Sequence, residues 1–174
     1  IQQEEGFYVT VKHFACNNQE DNRNGVSSNL SERALREIYL RGFEICVREG
    51  GAKGIMTSYN KINGVYASNC HDICTKALRN EWGFDGVVMT DWWAEINVEG
   101  EEANGTDFAT MLKAENDLYM VCPEGSENLS GDNLLESIQN ATLSIRTMRR
   151  TAKNVLAFAM KTPAYKRVTG RGQE

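Results

Sequence analysis

The sequence predicts an α/β fold of about four strand–helix units with parallel strands. Short runs of β-branched and apolar residues alternate along the chain with longer segments in which apolar residues recur every three or four positions. Loops rich in polar residues and Gly separate the two kinds of segment. The chain has 174 residues, of which 41% are hydrophobic and 25% charged, and this is sufficient for a buried core without disulfide support.

The first unit begins with a strand over 7–14, where β-branched and aromatic residues dominate. A polar loop over 17–28 follows. Asn29, with Glu32 three residues later, predicts a capping box at the start of a helix, and Gly50-Gly51 predicts its end. The buried face of this helix is predicted from apolar residues at helical spacing, namely Leu35, Ile38, Tyr39, Phe43, Cys46 and Val47.

Three further units follow the same order. The second has a strand over 54–58, a loop over 59–64 and a helix from about 72 to 82. The third has a continuous apolar strand over 86–90, as expected for a parallel strand covered on both faces, then a loop over 91–101 and a helix near 103–114. The fourth has a strand over 117–121, a short helix and a longer helix over 141–161. We therefore expect one domain over 1–161 and a linker or disordered tail over 162–174.

Two arrangements of these parallel strands are open at this point. One is an open doubly wound sheet, and the other is part of a (β/α)8 barrel, which in full needs roughly 250 residues. Periodicity alone does not distinguish them. In both arrangements, ligands bind at the carboxyl ends of the strands.

Polar and aromatic residues follow three of the predicted strands and are candidates for a ligand site. If these strands are neighbours, a carboxylate, a cation, an imidazole, a phenol and aromatic faces meet at one mouth. Such a set suits a sugar, whose hydroxyls accept charge-assisted hydrogen bonds and whose apolar face packs on aromatic rings. The candidates are Lys12 and His13 after the first strand, Met56 and Tyr59 after the second, and Asp91, Trp92 and Trp93 after the third.

Each candidate also has a structural interpretation. An Asp at a strand end often caps the next helix, and a His there is often a hydrogen-bonded structural residue. Met56 and Trp82 fit a hydrophobic core. A metal site built from Cys70, His71, Cys74 or His13 is a weaker hypothesis, because a lone Cys-x3-Cys spacing is not a specific signature. We expect neither a metal nor a cofactor.

Composition restricts the partners and the compartment. The net charge of -5 argues against a nucleic-acid partner, which requires clustered Lys and Arg. No apolar run approaches the ~20 residues of a membrane span. The five cysteines are odd in number and irregularly spaced, so we expect reduced thiols and slightly favour a cytoplasmic location.

Several multi-residue motifs resemble those of family 3 glycoside hydrolases and occur in the same order. Glu115 departs from the pattern, because a Gly is usual there. The resemblance covers residues 9–161 and implies the carboxyl-terminal half of that family's catalytic (β/α)8 barrel. The motifs are Lys12-His13-Phe14, Asn18-Gln19-Glu20, Ser31-Glu32-Arg33 with Leu35-Arg36-Glu37-Ile38-Tyr39, Met56-Thr57-Ser58-Tyr59-Asn60 with Asn63-Gly64, Leu78-Arg79, Glu81-Trp82-Gly83-Phe84-Asp85-Gly86, Thr90-Asp91-Trp92 and Ala114-Glu115-Asn116-Asp117-Leu118-Tyr119-Met120.

The resemblance implies a retaining glycosidase, in which a carboxylate attacks the anomeric carbon and water then releases the sugar with its configuration kept. On this basis Asp91, in the Thr-Asp-Trp motif, is the expected nucleophile. The expected sugar-binding residues are Lys12 and His13, which match a pair that holds sugar hydroxyls, Tyr59 beside the nucleophile, and Met56 and Trp92 in the pocket.

The subclass follows from what comes after Lys12-His13-Phe14. The N-acetylglucosaminidase branch has a Gly-His-Gly loop there, whereas this chain has Ala15-Cys16-Asn17, so it resembles the β-glucosidase and β-xylosidase branch. In that branch the acid/base Glu comes from a separate α/β sandwich domain, which nothing here resembles. The internal candidates for a second carboxyl are Glu20, Glu95 and Glu124.

The chain therefore resembles a piece of a longer enzyme. We expect its partners to be a β-glucoside or related saccharide, the other half of the barrel and the sandwich domain. As an alternative, the isolated chain is a non-catalytic module that binds sugar or serves a structural role. The exposed sheet edges of a half-barrel favour pairing with another chain, so this alternative predicts self-association, for example as a homodimer.

Overall fold

The computed structural model describes residues 7–98, 100–122 and 124–170. In these residues the strands are β1 (Thr10–Phe14), β2 (Ser27–Ser28), β3 (Gly54–Thr57), β4 (Lys61–Ile62), β5 (Val65–Tyr66), β6 (Val87–Trp92) and β7 (Leu118–Met120). Four of them form a parallel sheet in the order β1-β3-β6-β7, and the three short strands form a second sheet in the order β2-β4-β5.

Helices connect successive strands of the parallel sheet. Two helical segments, Leu35–Tyr39 and Asp72–Glu81, have the wider hydrogen-bonding pattern of a π-helix, and Ala67–Asn69 forms a 3₁₀ turn. Among the residues described, no helix combines the length and apolar character needed to cross a bilayer. The α-helices are α1 (Glu32–Ala34), α2 (Arg41–Arg48), α3 (Phe108–Lys113), α4 (Leu134–Gln139), α5 (Ile145–Met160) and α6 (Pro163–Thr169).

The predicted parallel arrangement of four strand–helix units is confirmed. Thr10 of β1 pairs with Gly54 of β3, which pairs with Val87 of β6, so these three strands are adjacent in the sheet. Phe14 and Ile55 on these strands are fully buried beneath the flanking helices. The carboxyl ends of the three strands therefore lie side by side, as the predicted ligand site requires.

The predicted capping box at Asn29 is wrong. Ser31 caps α1, because its side chain accepts a hydrogen bond from the backbone N–H of Ala34 at 3.2 Å. The Asn29 side chain instead accepts a hydrogen bond from the hydroxyl of Ser27 at 2.8 Å. Asn29 thus belongs to the preceding loop, and the N-cap residue of the helix lies two positions later than predicted.

Three other elements differ from the prediction. The expected loop over 59–64 contains β4 and leads through the turn at Asn63-Gly64 into β5, so the chain forms a hairpin there. The helix expected from 103 begins at Phe108, because the side chain of Asp107 caps it through the N–H of Thr110. Within the expected linker or disordered tail over 162–174, α6 occupies Pro163–Thr169, and residues 171–174 lie outside the described part.

A buried ion pair fastens the parallel sheet to its helices. Arg79, on the segment Asp72–Glu81, donates to Oδ2 of Asp117 at 2.5 Å. The same carboxylate accepts from the N–H of Val88 at 3.0 Å and from the amide of Asn154 on α5 at 2.9 Å. Burial raises the pKa of the Asp117 carboxyl, and the positive charge of Arg79 opposes this rise. One carboxylate thereby links two strands, the helix before β6 and the long helix α5.

Candidate active site

A cleft of about 560 Å³ opens at the carboxyl ends of β1, β3 and β6. Its walls combine charged groups with three aromatic side chains, so it offers both hydrogen-bond partners and apolar faces to a ligand. The lining residues are Lys12, Arg23, Asn24, Met56, Tyr59, Asp91, Trp92 and Trp93.

Asp91 lies near the end of β6 with its carboxylate directed into this group of side chains. Its Oδ1 accepts a hydrogen bond from the backbone N–H of Trp92 at 2.8 Å, and its Oδ2 lies 3.3 Å from Nε2 of His13 on β1. The side chain retains 13% of its accessible surface. Both carboxylate oxygens are therefore held in place while the group stays reachable from the cleft.

Tyr59 lies beside the carboxylate of Asp91. Burial raises the pKa of the Tyr59 hydroxyl, and the negative charge of Asp91 together with their hydrogen bond raises it further. The phenol consequently remains protonated at neutral pH and serves as a hydrogen-bond donor toward the carboxylate. The guanidinium of Arg23 lies 4.7 Å from the centre of the Tyr59 ring, in a cation–π contact that fixes the ring from the cleft side.

The structure brings the predicted site residues together around one carboxylate. Lys12, Met56, Tyr59, Asp91 and Trp92 line the cleft, and His13 contacts Asp91 from the neighbouring strand. Their roles in binding or catalysis stay predictions.

Sequence reasoning missed Arg23 and Asn24. They come from the polar loop after β1, which returns to the sheet where Ser27 of β2 pairs with Lys61 of β4. This pairing carries the loop across Tyr59, and neither residue belongs to a periodic pattern that could have indicated it. The hydroxyl of Tyr66, on β5, also donates to the backbone carbonyl of Asn24 at 2.9 Å and so holds the loop.

The three internal candidates for a second carboxyl do not line this cleft in the described residues. Glu20 forms an exposed ion pair with Arg23 at 2.7 Å. Glu95 is half-buried, and its negative charge contributes to the raised pKa of Tyr66 and Tyr119. Glu124 is exposed and accepts hydrogen bonds from Ser126, which lower the pKa of its carboxyl.

The alternative prediction is a metal site built from Cys70, His71, Cys74 or His13. Across residues 7–98, 100–122 and 124–170, no three His, Cys, Asp or Glu side chains are grouped to hold a metal ion. Burial raises the pKa of the Cys70 and Cys74 thiols. Both thiols are therefore protonated at neutral pH.

Comparison with known proteins identifies the family. A family model described as the glycosyl hydrolase family 3 N terminal domain matches residues 1–158. The chain belongs to this family. The expected half of a family 3 (β/α)8 barrel is thereby confirmed as the fold, and the open doubly wound sheet is excluded.

Family 3 relatives match nearly the whole chain. A beta-glucosidase of Ruminococcus albus is 46% identical over 168 residues, which cover 97% of this chain and 18% of that protein. The structure of a beta-glucosidase from Paenibacillus barengoltzii superimposes with a TM-score of 0.90 at 51% identity, covering 93% of this chain and 18% of that one. Beta-glucosidase 3B from Thermotoga neapolitana in complex with glucose gives a TM-score of 0.82 at 38% identity, covering 95% and 22%. The chain thus spans about a fifth of the length of these family 3 proteins.

Proposed function

We propose that this chain supplies the nucleophile of a retaining β-glycosidase of the β-glucosidase type, which hydrolyses terminal β-linked sugars. The observation that supports this proposal most directly is the placement of the Asp91 carboxylate in a polar and aromatic cleft. One of its oxygens accepts a hydrogen bond from the N–H of Trp92, and the other contacts His13. Membership of family 3 and the beta-glucosidase relatives support the reaction class and the glucoside substrate.

In the first step of the proposed reaction, an oxygen of Asp91 forms a bond to the anomeric carbon while the bond to the leaving-group oxygen breaks. A general acid protonates that oxygen. In the second step, water attacks the same carbon, gives up its proton to the conjugate base of that acid, and releases Asp91. Two inversions leave the configuration of the sugar unchanged.

The surrounding side chains have separate proposed roles. Tyr59 donates a hydrogen bond to the carboxylate and so keeps it ionised and correctly turned, a function that its raised pKa supports. Lys12 and Arg23 offer cationic donors to the sugar hydroxyls, and His13 both orients Asp91 and reaches toward the sugar. Met56 and Trp92 offer apolar surface to the pyranose ring.

The general acid is proposed to lie outside this chain. A retaining site needs a second carboxyl about 5–5.5 Å from the first. Glu20 pairs with Arg23, Glu124 accepts hydrogen bonds from Ser126, and Glu95 does not line the cleft. The relatives are about five times longer than this chain. We therefore propose that the remaining barrel strands and an α/β sandwich domain of the parent protein complete the site.

The test is hydrolysis of 4-nitrophenyl β-D-glucopyranoside by the protein that contains this chain, with the released sugar followed by proton NMR. β-Glucose should appear first and then mutarotate. Initial release of α-glucose would contradict a retaining mechanism, and the absence of any hydrolysis of β-glucosides or β-xylosides would refute the proposed function.

A second candidate function applies to the isolated chain. The outer edges of β1 and β7 bear no further strand in the described residues, and such edges pair readily with other chains. We propose that the chain alone is a non-catalytic module that self-associates, with two four-stranded sheets imitating one closed barrel. Turnover of an aryl β-glucoside by the chain alone would refute the first part. A monomeric mass in light scattering at high concentration would refute the second.

Replacing Tyr59 with phenylalanine tests its hydrogen bond to Asp91. We expect kcat/KM for an aryl β-glucoside to fall roughly 10²-fold, which is the usual cost of removing one oriented donor from a charged reaction centre. The folded state should change little, because the ring that Arg23 covers is retained. Tyr119→Phe is the matched control, since that hydroxyl donates to the carbonyl of Ala94 outside the cleft. An equal loss in both variants would show that the Tyr59 hydroxyl has no particular role.

A further inference from the structure

Tyr66, on β5, is a buried residue that contacts two of the chain segments that supply the cleft. It retains only 3% of its accessible surface. Its hydroxyl donates to the backbone carbonyl of Asn24 at 2.9 Å, in the loop between β1 and β2. Its backbone N–H donates to Oδ1 of Asn97 at 3.0 Å, in the segment that follows β6. One residue therefore joins the loop that carries Arg23 to the segment that follows Asp91.

The segment after β6 fixes the position of Tyr66 relative to the strand that carries Asp91. Asn97 is buried, and its side-chain amide donates to the carbonyl of Gly64 in the turn before β5 at 3.1 Å. The amide of Asn69 donates to the carbonyl of Asn97 at 2.5 Å, and Oδ1 of Asn69 accepts from the N–H of Asn97 at 3.3 Å. Buried polar groups that are satisfied in this way make the structure around them rigid. β5 is therefore held in a fixed position relative to the segment that follows β6.

The loop that Tyr66 contacts returns to the carboxylate of the cleft. Arg23 is adjacent to Asn24, and its guanidinium lies 4.7 Å from the centre of the Tyr59 ring. Tyr59 in turn lies beside Asp91. Burial raises the pKa of the Tyr66 hydroxyl, so the hydroxyl remains a hydrogen-bond donor at neutral pH. A buried donor on β5 thereby restrains the loop whose cation covers the ring beside the carboxylate.

We propose that Tyr66 is a positioning residue, which holds the loop of Arg23 where its guanidinium binds a hydroxyl of the sugar. This inference rests on the function proposed above. A loop that is already ordered in the free protein does not have to lose conformational entropy when the substrate binds. Removing the Tyr66 hydroxyl should therefore weaken substrate binding, whereas Asp91 and Tyr59 keep their own contacts. The effect is expected in KM rather than in kcat.

Tyr66→Phe in the protein that contains this chain tests the proposal with 4-nitrophenyl β-D-glucopyranoside. We expect KM to rise roughly fivefold, the effect of losing about one net hydrogen bond, while kcat changes less than about twofold. The fold should survive, because the ring is kept and the carbonyl of the exposed Asn24 can bind water instead. Tyr8→Phe is the matched control, since its hydroxyl donates to the carbonyl of Lys161 at the end of α5. The control should have the KM of the wild type.

Combining this change with Arg23→Met distinguishes a positioning role from a general loss of stability. If Tyr66 acts through Arg23, then Tyr66→Phe should raise KM less than about twofold in the Arg23→Met background. Increases in KM that multiply in the double variant would overturn the proposal. An effect confined to kcat, or an unchanged KM in Tyr66→Phe alone, would overturn it as well.

Hydrogen exchange provides a second measurement, which does not need a substrate. The N–H groups of Gly25 and Val26 both donate to the carbonyl of Asn22 at 2.9 Å within the loop. Their exchange, followed by mass spectrometry on peptides that cover this loop, should be faster in Tyr66→Phe and unchanged in Tyr8→Phe. Unchanged exchange in Tyr66→Phe would overturn the proposal whatever the activity. If the wild type hydrolyses no β-glucoside, the proposed function fails, while faster exchange would still support the restraint of the loop.

Discussion

Replacing Asp91 with asparagine should lower kcat for an aryl β-glucoside by about 10⁴-fold or more, because a neutral amide cannot form the glycosyl-enzyme ester. The substitution preserves shape, and the amide oxygen can still accept the hydrogen bond from the N–H of Trp92. The fold should therefore survive, which circular dichroism would verify. Initial rates with 4-nitrophenyl β-D-glucopyranoside would measure the loss.

Asp85→Asn is the matched control. Asp85 precedes the amino end of β6, whereas Asp91 lies near its carboxyl end, and its exposed carboxylate pairs with Lys53. Its loss should leave kcat unchanged. A 2-deoxy-2-fluoro-β-glucoside provides an independent measurement, since the slowed second step should leave the sugar covalently attached to the peptide containing Asp91. An adduct on any other residue would mean that the nucleophile is misassigned.

Replacing Arg79 with methionine should lower the free energy of unfolding by about 3–5 kcal/mol, the usual cost of leaving one partner of a buried ion pair without the other. The Arg79 side chain retains 8% of its accessible surface, and that of Asp117 retains none. The variant also loses donors to the backbone carbonyls of Gly86 and Glu115. Urea unfolding of the purified chain, followed by circular dichroism, would measure the change.

Arg36→Met is the control for burial. Arg36 contacts the carboxylates of Glu32 and Glu81. Its side chain is 34% exposed, and the side chains of both partners are more exposed than that. Exposed ion pairs contribute little to stability, so this loss should be much smaller than that of Arg79→Met. Similar losses for the two variants would show that burial does not set the strength of the Arg79 contact.

The effect of Arg79→Met should also depend on pH. Burial raises the pKa of Asp117, and removing the cation would raise it further. A carboxyl with a higher pKa in the folded than in the unfolded chain favours the fold when protonated, and this contribution is lost as pH rises through the folded-state pKa. The difference from the wild type should therefore be larger at neutral pH than at about pH 4. If the difference in the free energy of unfolding does not change with pH, the unpaired charge of Asp117 is not the cause of the destabilisation.

The four strands of the parallel sheet could be predicted because each carries a local signal. The apolar run ending at Thr90 is long enough to identify β6, and the spacing of Ile73, Ala77 and Leu78 indicates the helix before it. The hairpin of β4 and β5 has only two residues in each strand, which is too short for any periodicity to appear. Its turn residues, Asn63-Gly64, were the available signal.

The candidate site was predictable where it sits on strands and unpredictable where it depends on loops. Lys12 and Asp91 follow from the rule that parallel strands present ligands at their carboxyl ends. Arg23 reaches Tyr59 only because two-residue strands pair across a loop, and this contact leaves no trace in the sequence around Arg23. The position of the Trp93 side chain at the cleft likewise depends on its positive φ, which the alternation of residues in a strand does not indicate.

The pairing of β1 with β3 and of β3 with β6 has a kinetic consequence. A helical segment separates each strand from its neighbour along the chain, so the carboxylate of Asp91 and the imidazole of His13 are brought together from distant parts of the chain. Topologies dominated by such non-local contacts have high contact order and fold slowly, because chain entropy is lost before the contacts form. We therefore expect the contact between Asp91 and His13 to form late in folding.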